Sequence, residues 1–187
     1  MKLTSRIGNW RLGFIFKPFF FRTEFVYGMT SDVFTGHGEH VLFWDFDANT
    51  KYVDVVKALK FIKHKKGLGC IYIFQSGRRE SYRAICLDRV PLKFMVQTVC
   101  ETPHVDIAFL KWTMIRRSAT IRITPKGPEP ILFLGTIEPD NDNEKSLSHA
   151  SVLKGLYGIP VPDHCDKGFR IRMVHYETID RTVYPYG

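Results

Sequence analysis

Between residues 41 and 110 the hydrophobic period of this chain switches repeatedly between strand and helix, and the order of those switches admits few folds. Residues 41–47 (VLFWDFD) form a dense apolar run of strand length. The period then lengthens. Val53, Val56, Leu59 and Ile62 recur at helical spacing, and lysines at 51, 57, 60, 63, 65 and 66 fill most of the remaining positions, which predicts a helix over 51–66. Gly67 and Gly69 end it. Residues 70–75 (CIYIFQ) read as a second strand, 76–78 as a turn and 82–87 (YRAICL) as a third strand. Pro91 suits a helix start, and Leu92, Met95, Val96 and Val99 predict a second helix over 91–101, stopped by Pro103. Residues 105–110 then read as a fourth strand, 119–124 as a fifth and 131–137 (ILFLGTI) as a further one.

This β-α-β-β-α-β order predicts an α+β fold with a ferredoxin-like, RRM-like core. In that topology the first strand is central, with the third and fourth on either side, and both helices cover one face. The other face is open to a site or to covering by extra segments. The expected organisation is one domain over 1–187, with the core at 40–126 and peripheral elaborations at 1–39 and 127–187. The run at 14–21 is cut by Lys17 and Pro18, so it is read as an extended segment that packs Phe14, Phe16, Phe19 and Phe21 on the core. It lacks a cleavage site of small residues, and no run reaches membrane-span length, so a cytoplasmic protein without a membrane partner is expected. Residues 169–176 read as an edge strand carrying Arg170 and Arg172.

Charge narrows the partners. The chain has 27 Lys and Arg against 19 Asp and Glu, a net charge of +8, and such a surface favours polyanions. The four cysteines, at 70, 86, 100 and 165, form no CxxC pair, which reads as a reducing compartment without structural disulfides. A metal cluster of Cys165, His164 and His149 is a weaker alternative.

Asp45 and Asp47 stand two apart on the first predicted strand, so their side chains would share a face. Two carboxylates in an apolar run repel one another and lose solvation, and a divalent metal relieves both costs. The alternative is that Asp47 begins a turn with Ala48 and Asn49. Asp106, at the start of the fourth predicted strand, would bring a third carboxylate from a neighbouring strand, or else cap an edge. Three carboxylates on an open sheet can hold Mg²⁺ or Mn²⁺ for phosphoryl transfer. Cations follow: Arg78 and Arg79 in the turn, and Arg116, Arg117, Arg122 and Lys126 in or beside RRSATIRITPK. They suit triphosphate oxygens or form a solvated strand face.

The combination WDFD, SGR, VD and RRSATIRITPK resembles the archaeo-eukaryotic primase superfamily, and most closely its plasmid- and virus-encoded primase-polymerases. The resemblance spans about 90 residues of short motifs. It implies metal-dependent nucleotidyl transfer on a DNA template. Asp45, Asp47 and Asp106 match the metal carboxylates. Ser76 and Gly77 match a nucleotide-binding turn, extended here to Arg78, and Arg117, Thr120 and Lys126 match a basic stretch. The histidine that follows the turn in that family is missing. The chain reads SGRRESYRA, and Arg83 could act as the substitute cation. The implied partners are single-stranded or primed DNA, contacted through Lys57, Lys60, Lys63, Arg116 and Arg122, and nucleoside triphosphates. No P-loop occurs, so unwinding would need a separate helicase. Host cytoplasm or nucleoid is the location such a resemblance implies.

A second class of reading is a nucleic-acid-binding module on the same fold without catalysis, either a degenerate primase relative or an RRM-like protein. A third is a rolling-circle initiator, but His37 and His40 stand three apart and cannot share a strand face. A structural role in a virus also stays open.

Overall fold

Val41, Leu42, Phe43 and Trp44 are all fully buried, so the strand that carries them is covered on both faces. The structure, a computed structural model, describes residues 2–7, 10–15, 25–33, 38–76, 81–125, 130–159 and 174–177. The chain divides into two compact units. In the first, Met1–Phe25 with Glu177–Gly187, strands β1 (Lys2–Ile7) and β2 (Trp10–Ile15) pair antiparallel.

The second unit spans Val26–Tyr176. The element order continues β3 (Phe25–Thr30), β4 (Glu39–Asp45), α1 (Tyr52–Lys66), β5 (Ile71–Ser76), β6 (Tyr82–Pro91) and α2 (Leu92–Cys100). It ends α3 (Ile107–Arg116), β7 (Thr120–Arg122), β8 (Ile131–Ile137), α4 (Leu147–Tyr157) and β9 (Val174–Glu177). The main sheet has the order β4-β6-β5-β8 and a smaller one the order β7-β3-β9. β4 and β5 are each antiparallel to β6, so they run parallel to each other with β6 inserted between them. That is the split β-α-β unit of a ferredoxin-like α+β core.

Alternation along the strands assigns the two faces. Trp44 lies opposite Ala84, and its Nε1–H donates to Thr102 Oγ1 at 2.9 Å, just past α2. Tyr82, two residues before Ala84, meets the ring of Tyr52 at the start of α1. Helices α1 and α2 therefore cover one face. On the other, Phe43 meets His149 of α4 edge to face, with ring centroids 6.1 Å apart. The Tyr157 hydroxyl of α4 donates to Ile123 O at 3.1 Å, just after β7. The face that an RRM-like core leaves open is thus covered by α4 and by the β3–β7 pair.

Two helices end as the sequence dictates. α1 buries Val55, Ala58, Leu59 and Ile62, and Gly67 closes it at φ 62°. Val53, expected on the inner stripe, is exposed instead. Pro91 immediately precedes α2, which buries Met95 and Val99.

The structure departs from the sequence expectations at several elements. Residues 105–110 are not a strand. Val105 makes one bridge to Phe46, and the chain then turns into α3 because the Asp106 carboxylate accepts the Ala108 N–H at 2.7 Å and caps the helix. The fourth core strand is reduced to that bridge, so β4 lies at one edge of the main sheet rather than at its centre, and β8 takes the other edge beside β5. Thr120–Arg122 is a strand, but it pairs with β3 in the smaller sheet. The helix α4 was not expected at all. Of the C-terminal strand expected at 169–176, residues 174–176 fall in β9 and the rest lie outside the described residues. Phe16, Phe19 and Phe21 also lie outside them.

One buried carboxylate ties the loop after β8 to the core. Asp88 is 2% exposed, and its Oδ2 accepts from Gly69 N at 2.7 Å and from Asn143 Nδ2 at 2.8 Å. Asn143 also donates to Gly67 O at 2.8 Å. A β-carbon at Gly69 would overlap Asp88 Oδ1 and sit 3.2 Å from its Cγ. Gly69→Ala should therefore lower unfolding stability by about 1–3 kcal/mol, the usual cost of overpacking a filled site. Chemical denaturation read by tryptophan fluorescence checks this, and an unchanged midpoint would remove Asp88 as the anchor.

Candidate functional site

The residues that carry the expected chemistry sit where β4 ends. Asp45 is the last residue of β4 and lies directly opposite Arg83 of β6. The Arg83 Nε–H donates to Asp45 Oδ1 at 3.1 Å, and its Nη1 donates to Arg122 O of β7 at 3.0 Å. The side chains of Asp45 and Arg83 are 28% and 15% exposed, so the pair is largely withdrawn from water. Burial pushes the Asp45 carboxyl above its usual range, Arg83 pulls it back down, and the nearby Asp106 carboxylate raises it again.

Asp47 lies two residues past the end of β4. The strand stops at Asp45, and Asp47 is exposed in a turn where its carbonyl accepts the Thr50 N–H at 3.1 Å. Asn49 takes a φ of 80° in the same turn, a conformation asparagine tolerates better than most residues. Asp106 is adjacent to Asp45 through its backbone, its N–H donating to Asp45 O at 2.9 Å, while its carboxylate is engaged as the α3 cap. Among the described residues no group of three or more His, Cys, Asp or Glu side chains is placed to hold a metal ion. The three carboxylates differ in what engages them. One is ion-paired, one is solvated beyond the strand and one caps a helix.

The remaining expected residues are dispersed. Ser76 closes the β5–β6 connection, its N–H donating to Ser81 O at 2.9 Å and its hydroxyl to Ser81 Oγ at 3.3 Å. Gly77, Arg78, Arg79 and Lys126 lie outside the described residues. Arg117 is exposed and ends α3 in the left-handed region at φ 56°. Thr120 opens β7 opposite Thr30 of β3. Arg122, half-buried, supplies its carbonyl to Arg83.

Of the cations assigned to nucleic acid, Lys57 and Lys60 are exposed on α1. Lys63 is not a surface contact. It is 6% exposed, and its ammonium pairs with Asp140 at 2.7 Å, because position 63 lies on the same side of the helix as Leu59 and Ile62. Arg116 lies over the ring of Trp112, 5.1 Å from its centroid. Trp112 and Phe61 are 54% and 55% exposed. Neither was singled out in the sequence: Trp112 lies past the run expected as a strand at 105–110, and Phe61 lies off the stripe of Val53, Val56, Leu59 and Ile62. The available signal was their lysine and arginine neighbours at positions 60, 65, 111 and 116.

Two histidine clusters are structural. His149 is 5% exposed, and its Nε2–H donates to Thr30 O at 2.7 Å, so its Nδ1 accepts from the Ser146 hydroxyl at 2.7 Å. Burial pushes its pKa down, which keeps the ring neutral. His164 and Cys165, its expected metal partners, lie outside the described residues. Ser31, His40 and Asp32 are a nucleophile-base-acid trio in composition only. Ser31 Oγ and Asp32 Oδ1 both approach the same ring nitrogen of His40, Nδ1, at 3.1 and 3.7 Å. A relay needs the two opposite nitrogens. Ser31 is fully buried and accepts the Ala119 N–H at 3.0 Å, so the trio clamps β4 to the β3–β7 pair.

The Asp45–Arg83 pair carries a pH signature. Arg83→Met leaves a largely buried carboxylate without its counter-charge, so stability at neutral pH should fall by about 2 kcal/mol. The Asp45 pKa, already raised by burial, rises further without Arg83. A carboxyl whose folded pKa is raised takes up a proton more readily when folded, so its stability cost appears as pH rises and vanishes below the unfolded value of about 4. The difference between variant and wild type should therefore be largest near neutrality and shrink as pH falls toward 4. Denaturation midpoints from acid to neutral pH check the sign, and a loss independent of pH would mean that Arg83 acts only through Arg122.

No protein-family model matches the chain, and no curated protein and no solved structure matches it.

Proposed function

We propose that this protein binds nucleic acid without carrying out catalysis at the Asp45 position, and that the outward cations of α1 and of the end of α3 make the contacts. The observation that carries this reading is the distribution of charge. Lys57, Lys60 and His64 line the solvent side of α1, and Lys111, Arg116 and Arg117 are exposed on or just after α3. The chain as a whole carries +8. Cations at such positions displace counterions from a phosphate backbone, which makes binding sequence-tolerant and strongly salt-dependent. Asp45 has a protein cation, Arg83, in the place where a catalytic site would need an exchangeable one.

A second reading, template-directed nucleotidyl transfer with Mg²⁺ or Mn²⁺ and nucleoside triphosphates, draws support from one contact. Asp106 and Asp45 are joined through the backbone and repel each other electrostatically. That reading requires Arg83 to release Asp45 and Asp106 to leave its cap, and it calls for a separate helicase, since the sequence has no P-loop. Its expected partner is single-stranded or primed DNA.

A salt titration of binding to a labelled oligothymidylate tests the first reading. Affinity should fall steeply with salt, and Lys57→Gln with Lys60→Gln should shallow the log-log slope by about one for each phosphate the variant no longer neutralises. Binding indifferent to salt, or none at low salt, would retire it. Primer extension with Mn²⁺ and deoxynucleotides separates the two readings: the first expects no incorporation, and incorporation abolished by Asp45→Asn would establish the second.

A further inference from the structure

The strand β8 lies at an edge of the main sheet, and among the described residues β5 is the strand that pairs with it. In an antiparallel pair, alternate residues of an edge strand turn their N–H and C=O groups outward. Among the described residues those groups of Ile131–Ile137 make no further backbone hydrogen bond. Leu132, Phe133 and Leu134 are 51%, 38% and 37% exposed.

Proteins commonly blunt such edges with charge or proline. The seven residues ILFLGTI contain neither. There is a bulge: Gly135 lies opposite Ile73 and Phe133 opposite Phe74, so Leu134 is the inserted residue. It bends the edge and adds one more apolar side chain to it.

A backbone edge open among the described residues suits an extended strand as the occupant, and charge argues whose. Two copies of a +8 chain repel across most of their surfaces. Docked through α1 or α3, they would set Lys57 and Lys60, or Lys111 and Arg116, against themselves. β8 is uncharged along its whole length, so two copies can meet there with no like charges directly opposed. An antiparallel pair of identical strands is self-complementary about a two-fold axis. We propose that the protein dimerises by antiparallel pairing of β8 with β8 of a second copy. The two main sheets become one continuous sheet, with Leu132, Phe133 and Leu134 of both copies at the seam.

The dimer should tighten as salt screens the repulsion between copies, opposite in sign to nucleic-acid binding. Sedimentation velocity of the full chain, from low to high micromolar concentration and at two salt concentrations, should show the mass rise from one copy to two, more completely at high salt. Phe133→Lys, which sets a charge at the seam, should stay monomeric under the same conditions. Hydrogen exchange supplies a reading independent of that variant's folding. In the wild type the amides between Leu132 and Thr136 should exchange more slowly as concentration rises. A wild type that stays monomeric at high micromolar concentration and high salt overturns the proposal. So does a dimer that survives Phe133→Lys, or one whose concentration-dependent protection falls on α3 and not on β8.

Discussion

The rest of this structure depends on the burial of β4 on both faces. Four consecutive residues, Val41 to Trp44, have no exposed surface, and each large apolar side chain so placed contributes about 2 kcal/mol relative to exposure. A strand of this kind cannot lie on a two-layer fold with one wet face. The helix side is met by α1 and α2, with the one polar atom of Trp44 satisfied at Thr102. The opposite side needs a second cover, and α4 with the β3–β7 pair supplies it. His149 is the join: it packs its ring on Phe43 and donates to Thr30 O, so a single side chain fixes α4 to both β4 and β3.

The same cover determines the state of Asp45. By alternation Asp45 faces the side of Phe43, under β7, where a bare carboxylate would be poorly solvated. Arg83 lies directly across the sheet, and its fork reaches both the carboxylate and the Arg122 carbonyl. The guanidinium thereby satisfies an acceptor from each of two layers. A divalent ion would offer Asp45 twice the charge, but it would leave the partly buried Arg83 with its counter-ion shared. Of the two cations, the one already tethered to the chain loses less freedom on taking the place.

Most of the core was legible because its signals are local and agree with one another. α1, β5, β6 and α2 lie within a few residues of their expected bounds, each marked by a clear period and by Gly67 or Pro91 at an end. Residues 105–110 misled because VDIAFL is too short for periodicity to separate strand from helix. The deciding feature was Asp106 as a cap, and it becomes readable only once Phe109, Leu110 and Thr113 are seen to face inward together. α4 was missed because SLSHASVLKGLYG buries a histidine and a serine that pattern reading scores as polar surface, although Ser146 and Gly158 mark its ends. The candidate site was legible as a set of residues and not as a geometry. The two-residue spacing of Asp45 and Asp47 said nothing of Arg83 opposite the first or of the exposed turn that holds the second.

Several acidic residues are engaged by cations of other elements. Asp140 pairs with Lys63, Glu101 with Lys65 and Lys66, and Glu39 and Glu144 with Arg89, and each of these contacts joins separate parts of the fold. Asp88 and Asp45 are likewise turned to inner partners. These acids serve as ties between elements, while Lys57, Lys60, Lys111 and Arg117 stand outward on or beside helices α1 and α3. The net charge of +8 acts over a screening length of about 8–10 Å at ordinary salt. Attraction to a polyanion and repulsion between copies are then two effects of one charge distribution. Added salt weakens both, which loosens the first kind of complex and favours the second. A surface on which copies of this chain can meet has to be neutral, and in the main sheet that condition selects β8.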